Sequence, residues 1–112
     1  MRVHSLWPTA APRYIGRMQP LQRVTAPTVD VLTAMLDGAE PIWGLRIVKE
    51  SGRPSGTVYP ILDRLERQGW IRSTWEELGS RESPPRRLYE FTEEGEAAAR
   101  DIRNTFLAKH RG

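Results

Sequence analysis

Three observations predict a mainly helical α+β domain. Apolar residues recur at helical spacing in four segments of the 112-residue chain. Two of these segments are separated only by Ser51-Gly52-Arg53. A stretch rich in aromatic and β-branched residues, broken by a polar turn, lies between the third segment and the fourth. Two helices joined by a short Gly-containing turn and followed at once by a hairpin make a winged helix-turn-helix with a two-stranded wing, and the last segment supplies a C-terminal helix.

The first helix follows Thr25, with Pro27 in the first turn, where a missing N–H is harmless. Val29, Leu32 and Leu36 fall at i, i+3 and i+7, flanked by Val31 and Met35, and Gly38 is a suitable stop. The second helix is expected to open at Pro41. Ile42 and Leu45 form one apolar row, Trp43 and Ile47 another, and Gly52 takes the left-handed conformation that ends the helix. In the third helix Val58, Ile61, Leu62 and Leu65 match the helical template. Gly69 stands at C′, with Trp70 placed to cover Leu65. Pro60 loses a bond to Gly56 and introduces at most a slight bend if the helix starts near Ser55.

Residues 70–76 and Arg87-Leu88-Tyr89-Glu90-Phe91 read as two strands around the polar turn from Leu78 to Pro85. Thr92 caps the last helix, with Glu93, Glu94 and Glu96 near its positive end. Residues 1–24 lack periodicity, contain Pro8, Pro12 and Pro20, and read as a flexible N-terminal arm; Met18 is the alternative start. The expected division is thus an arm at 1–24, a winged helix-turn-helix DNA-binding domain at 25–92 and a dimerisation helix at 93–112.

Composition excludes several classes. With no cysteine there are no disulfides and no thiolate metal sites. No apolar run approaches the roughly 20 residues that span a bilayer, and the N-terminus makes a poor signal peptide. The net charge of +3 is misleading, because residues 1–23 hold four arginines and no acid, whereas the rest carries 13 basic and 14 acidic side chains. A case for nucleic acid therefore rests on where the cations sit.

They sit at the start of the third helix and on the wing. Arg53, Ser55, Gly56, Thr57 and Tyr59 gather a cation, small hydroxyls and a phenol where backbone N–H groups point outward. Arg64 adds reach along the same helix. Thr57 suits a base edge or a thymine methyl, Ser55 a phosphate or base, and Tyr59 a phosphate. A solvated surface helix would look the same, and the hairpin decides between the two, since Arg81, Arg86 and Arg87 face only Glu82 nearby. Trp43 and Trp70 lie on apolar stripes and read as core, and Trp75 stands on the wing strand. A pocket for a planar aromatic effector built from these three is the alternative use. No catalytic constellation is present: His4 and His110 are isolated, and Gly52-Arg53-Pro54-Ser55-Gly56 fits neither a nucleophile elbow nor a phosphate-binding loop.

Trp43-Gly44-Leu45, the run from Pro54 through Ser55-Gly56-Thr57-Val58-Tyr59-Pro60 to Ile71, and the run from Pro85 to Gly95 together resemble the PadR family over roughly residues 25–100. The resemblance implies a transcriptional regulator, usually a repressor, that dimerises through its first and last helices. It implies a third helix that reads the major groove and a basic wing on the backbone or minor groove. It also accounts for Pro60. Trp43 departs from the tyrosine often found there, and the single last helix corresponds to the short form of the family. Homodimerisation is expected through Val29, Leu32, Leu36, Ala99, Ile102, Phe106 and Leu107, because a terminal amphipathic helix finds little in so small a monomer to cover it. The expected partners are double-stranded DNA and a second copy, with no cofactor, no membrane and no enzymatic activity. The expected location is the cytoplasm, at the nucleoid.

Overall fold

The computed structural model describes residues 18–21, 23–76 and 86–109. Along them run α1 (Ala26–Asp37), β1 (Ile42–Trp43), α2 (Gly44–Ser51), α3 (Ser55–Arg67), β2 (Ile71–Trp75), β3 (Arg87–Phe91) and α4 (Glu93–Lys109). The three strands form an antiparallel sheet in the order β1-β3-β2, with Ile42 opposite Tyr89 and Ile71 opposite Phe91. Helices and sheet close on one core that includes Val31, Leu32, Met35, Ile47, Val58, Leu62, Leu65, Trp70, Phe91 and Ala99. The chain is a mainly helical α+β domain of the winged helix-turn-helix form.

Local chemistry explains the boundaries. The Thr25 hydroxyl accepts from the Thr28 amide at 3.4 Å and caps α1. Gly38 ends α1 with extended backbone, so its glycine serves space and not a positive φ: a Cβ there would fall 2.7 Å from Ile42 Cδ1. Gly52 does turn left-handed, at φ 72°, and makes the tight connection from α2 to α3. At the end of α3 the Gly69 amide donates to Glu66 O at 3.1 Å and the Trp70 amide to Leu65 O at 2.9 Å, the paired bonds of a Schellman motif around Gly69 at φ 85°. The α3 helix runs unbroken past Pro60, which lies on its exposed side. The Thr92 side chain accepts from the Gly95 amide at 3.0 Å and itself donates to Gly69 O at 2.9 Å, so one hydroxyl starts α4 and ties it to the end of α3.

Four expectations need correction. Pro41 does not open the second helix: Ile42 and Trp43 pair with β3 as a third strand, and α2 starts at Gly44. Leu45, expected on an apolar row with Ile42, is half exposed. The arm does not extend to residue 24. Met18 and Leu21 pack on the core, the Gln19 amide donates to Gln68 O at 2.8 Å, and the Gln19 carbonyl accepts from the Trp70 indole at 2.6 Å. Residues 1–17 lie outside the described residues. The last helix is covered by the monomer in its first half, where Gly95 and Ala99 are buried, but not at its end. Ala99 is fully buried against the chain's own core, as is Leu32 on α1, and Val29 of α1 is buried as well. These three belong to the monomer's interior, and Arg103 of α4 further pairs with Asp37 of α1 at 3.0 Å.

Candidate nucleic-acid interface

The first turn of α3 is open. No side chain caps it, since its N-cap is Pro54, whose carbonyl receives the Thr57 and Val58 amides at 2.9 and 3.0 Å. Ser55 and Gly56 are exposed and Thr57 is partly so. Among the described residues a Cβ on Gly56 would meet nothing within 4 Å, so none of them demands glycine there or fills the space in front of this turn. Thr57, Pro60 and Arg64 follow at i, i+3 and i+7 along one face, and Pro60 and Arg64 are exposed. An uncapped helix start with small side chains and a cation one face-length away suits a polyanionic ligand.

The remaining site residues divide. Arg53 is paired at the surface, its Nε 2.8 Å from Asp30 Oδ2 of α1, and so links the turn between α2 and α3 to α1. Tyr59 packs its ring on Gly44 and touches the core, and a Cβ on Gly44 would come 2.9 Å from the Tyr59 hydroxyl oxygen. Gly44 is thus the small residue that seats α3 against the start of α2. Arg86 is exposed, with its guanidinium 4.3 Å from the centre of the Trp43 ring. Arg87, the next residue, reaches back to Glu66 and Ser73 at 3.5 and 2.8 Å and lies 5.2 Å from the Trp75 ring centre. Arg81 and the wing turn lie outside the described residues. Among the described residues, neither Arg64 nor Arg86 has a carboxylate partner.

Two buried acids at the wing root were not legible beforehand. Glu90 accepts two hydrogen bonds from Arg72 on one oxygen, at 3.0 and 2.7 Å, and its side chain is 2 % exposed. Removing Arg72 would leave that charge buried with its main partner lost, at a cost of about 3–5 kcal/mol. Glu66 is similarly enclosed. Their spacing carried the signal, since Arg72 and Glu90 face each other across the β2–β3 ladder once its register is known. Nearby, burial pushes the Tyr89 phenol up from its ordinary value against the opposing pull of Arg87.

The three tryptophans do not converge. Trp70 is sealed in the core, and Trp75 is 56 % exposed on the wing. Trp43 borders a cleft of about 400 Å³ between α1, β1 and α2, but Arg86 covers a face of its ring. A second, more apolar cleft of about 330 Å³ lies at the end of α4 between Val24, Ile102 and Phe106. Among the described residues no cluster of His, Cys, Asp and Glu is placed to hold a metal, and no helix is long and apolar enough to cross a membrane.

Comparison with known proteins agrees with this geometry. Among solved structures, the chain is similar to a PadR-like transcription factor from Bacteroides fragilis (25 % identity over 75 % of this chain and 84 % of that one, TM-score 0.55). It is also similar to the circadian clock associated protein Pex from Anabaena (20 % identity, 90 % and 85 %, TM-score 0.56). A third similar structure is a variant of ZitR from Lactococcus lactis (16 % identity, 87 % and 64 %, TM-score 0.60). No curated protein matches the sequence. The transcriptional regulator PadR-like family matches residues 31–101. With that match spanning more than half its length, and with an open start to α3 beside a wing, the chain belongs to the PadR-like family and is a DNA-binding transcriptional regulator.

Proposed function

We propose that the protein is a repressor that binds a near-palindromic operator as a homodimer. The first turn of α3 enters the major groove, and Arg86 places the wing on the flanking backbone. The observation that carries this reading is the uncapped, unobstructed start of α3, with Gly56 facing empty space and Arg64 following on the exposed surface. Ser55 and Thr57 then meet phosphate and base edge, and Arg64 supports the same contact. The second copy docks on the end of α4, where Leu107 is 52 % exposed and Ile102 and Phe106 line an apolar cleft; Leu36 of α1, partly buried, contributes at the margin. A symmetric pair sets its two reading helices about one DNA turn apart, roughly 34–36 Å. Repression follows from occupying a site that polymerase needs, with no chemistry.

The test is a mobility shift on fragmented genomic DNA across a salt series. The proposal expects a shift whose affinity falls steeply as salt rises. Absence of any DNA complex at low salt would instead favour a winged-helix module that contacts another protein. A second reading, a repressor gated by a planar aromatic ligand, is favoured by the cleft beside Trp43, because Arg86 lines it as well. Quenching of tryptophan fluorescence by planar aromatic acids, together with release of DNA, would establish it.

A further inference from the structure

Arg86 and Arg87 are neighbours in sequence and differ in every partner. Extended chain sends successive side chains to opposite faces. Arg86 lies exposed over Trp43, whereas Arg87 is 33 % exposed and faces the end of α3. There Glu66, in the last turn of α3, has a side chain only 8 % exposed. The Ser73 hydroxyl on β2 lies 2.9 and 2.8 Å from its two oxygens, and Arg87 Nη2 on β3 donates to Ser73 Oγ at 2.8 Å while standing 3.5 Å from Glu66 Oε1. Three side chains from the reading helix and both wing strands therefore close one ring.

We infer that Glu66 is a positioning residue: acting through Ser73 and Arg87 it fixes the wing at a set angle to α3, and Arg87 is a strut of that clasp and not a contact to DNA. The inference rests on the DNA-binding reading above. Swinging Arg87 outward to a phosphate would take a neighbouring cation away from an enclosed carboxylate, which is costly whatever else Glu66 touches. The guanidinium is further held between rings, 5.2 Å from the centre of Trp75 and 6.0 Å from that of Tyr89. Trp75 stands directly opposite Arg87 in the β2–β3 ladder, so the clasp also orders the outer end of the described wing. With the wing fixed to α3, Arg86 meets the backbone at a constant distance from the bases that α3 reads.

The clasp is tested with Glu66→Gln, Arg87→Gln and the double variant, read in two ways. In the DNA-free protein, the Trp75 indole N–H resonance, assigned with Trp75→Phe, should shift in both single variants; the melting temperature should stay near that of the parent for Glu66→Gln and fall for Arg87→Gln, which leaves the enclosed Glu66 charge without that cation. On DNA selected by the parent, each single variant should bind about tenfold more weakly, the double variant no more weakly than either, because the two act through one linkage. The salt slope should stay at the parent's value, whereas Arg86→Gln lowers it by about 1. A fall in slope for Arg87→Gln would make Arg87 a phosphate contact and overturn the inference. Additive losses, or a Glu66→Gln protein with unchanged affinity and unchanged Trp75 resonance, would overturn it too. If Glu66→Gln fails to fold, Ser73→Ala removes the bridging hydroxyl and carries the same expectations. If the parent binds no DNA, the DNA reading fails by itself, and the Trp75 resonance still judges the clasp.

Discussion

Both the first turn of α3 and the C-terminal half of α4 leave side chains in solvent, but of different kinds. At α3 the exposed groups are Ser55 and Gly56, with Arg64 further along the helix, all of which water satisfies without help. At α4 polar groups such as Asp101, Asn104, Thr105 and Lys109 are exposed too, but Leu107 stands among them, with Phe106 and Ile102 partly covered beside a cleft that all but Leu107 and Asn104 help to line. Burying apolar surface gains about 25 cal/mol per Å², so the second region gains from any dry partner. The first gains only from a partner that offers charge and hydrogen bonds. The two surfaces are thus suited to different partners, a polyanion and an apolar face, the latter proposed above to be that of a second copy, and exposure alone would not have told them apart.

Substitutions along α4 test the second surface most severely. Ala99→Glu places a charge in the closed core and should abolish folding, with a loss above about 4 kcal/mol read from thermal denaturation. Phe106→Glu, two turns further on, should leave the helical signal intact and yield monomers in sedimentation. If both unfold alike, the end of α4 is ordinary core cover and the contrast between the surfaces disappears. On the first surface, Arg86→Glu should weaken binding to all DNA by about tenfold and lower the salt slope by about 1, in fluorescence anisotropy titrations. Thr57→Ala should change the ranking among operators by about fivefold and leave nonspecific affinity alone, as expected of a base contact.

The smallest effect concerns the wing root. The Tyr89 phenol is raised by burial, so its neutral form is favoured in the fold. Its stabilising contribution is complete below the unfolded value of about 10 and is lost as pH rises through the folded value. Above pH ~10 the parent should lose melting temperature faster than Tyr89→Phe, and equal losses would remove Tyr89 from the account.

Residues whose chemistry acts within a few positions were legible in the sequence. Thr25, Gly52, the Gly69–Trp70 pair and Thr92 behave as their types require, because caps and turns are decided locally. What was not legible depends on tertiary contact. Ile42 and Trp43 are too few to show strand alternation, and Pro41 before them suits a helix start equally well, so only pairing with Tyr89 and Leu88 decides. The apolar stripe of α4 is real, but periodicity does not say how much of it the monomer covers, and Ala99 is buried there whereas Leu107 stays half exposed. Arg53 and Arg87 looked like free cations because their acids, Asp30 and Glu66, are 23 and 21 positions away. The exposure of Ser55 and Gly56 at the start of α3 is legible because its residue types are small and polar.

The account stands on two copies presenting the start of α3 to successive major grooves of one duplex. Selection of bound DNA from a random pool measures that directly. It should return two inverted half-sites whose centres lie about 10–10.5 base pairs apart, or a whole multiple of that spacing. A single asymmetric site, or a pool no richer after selection than before, would contradict it.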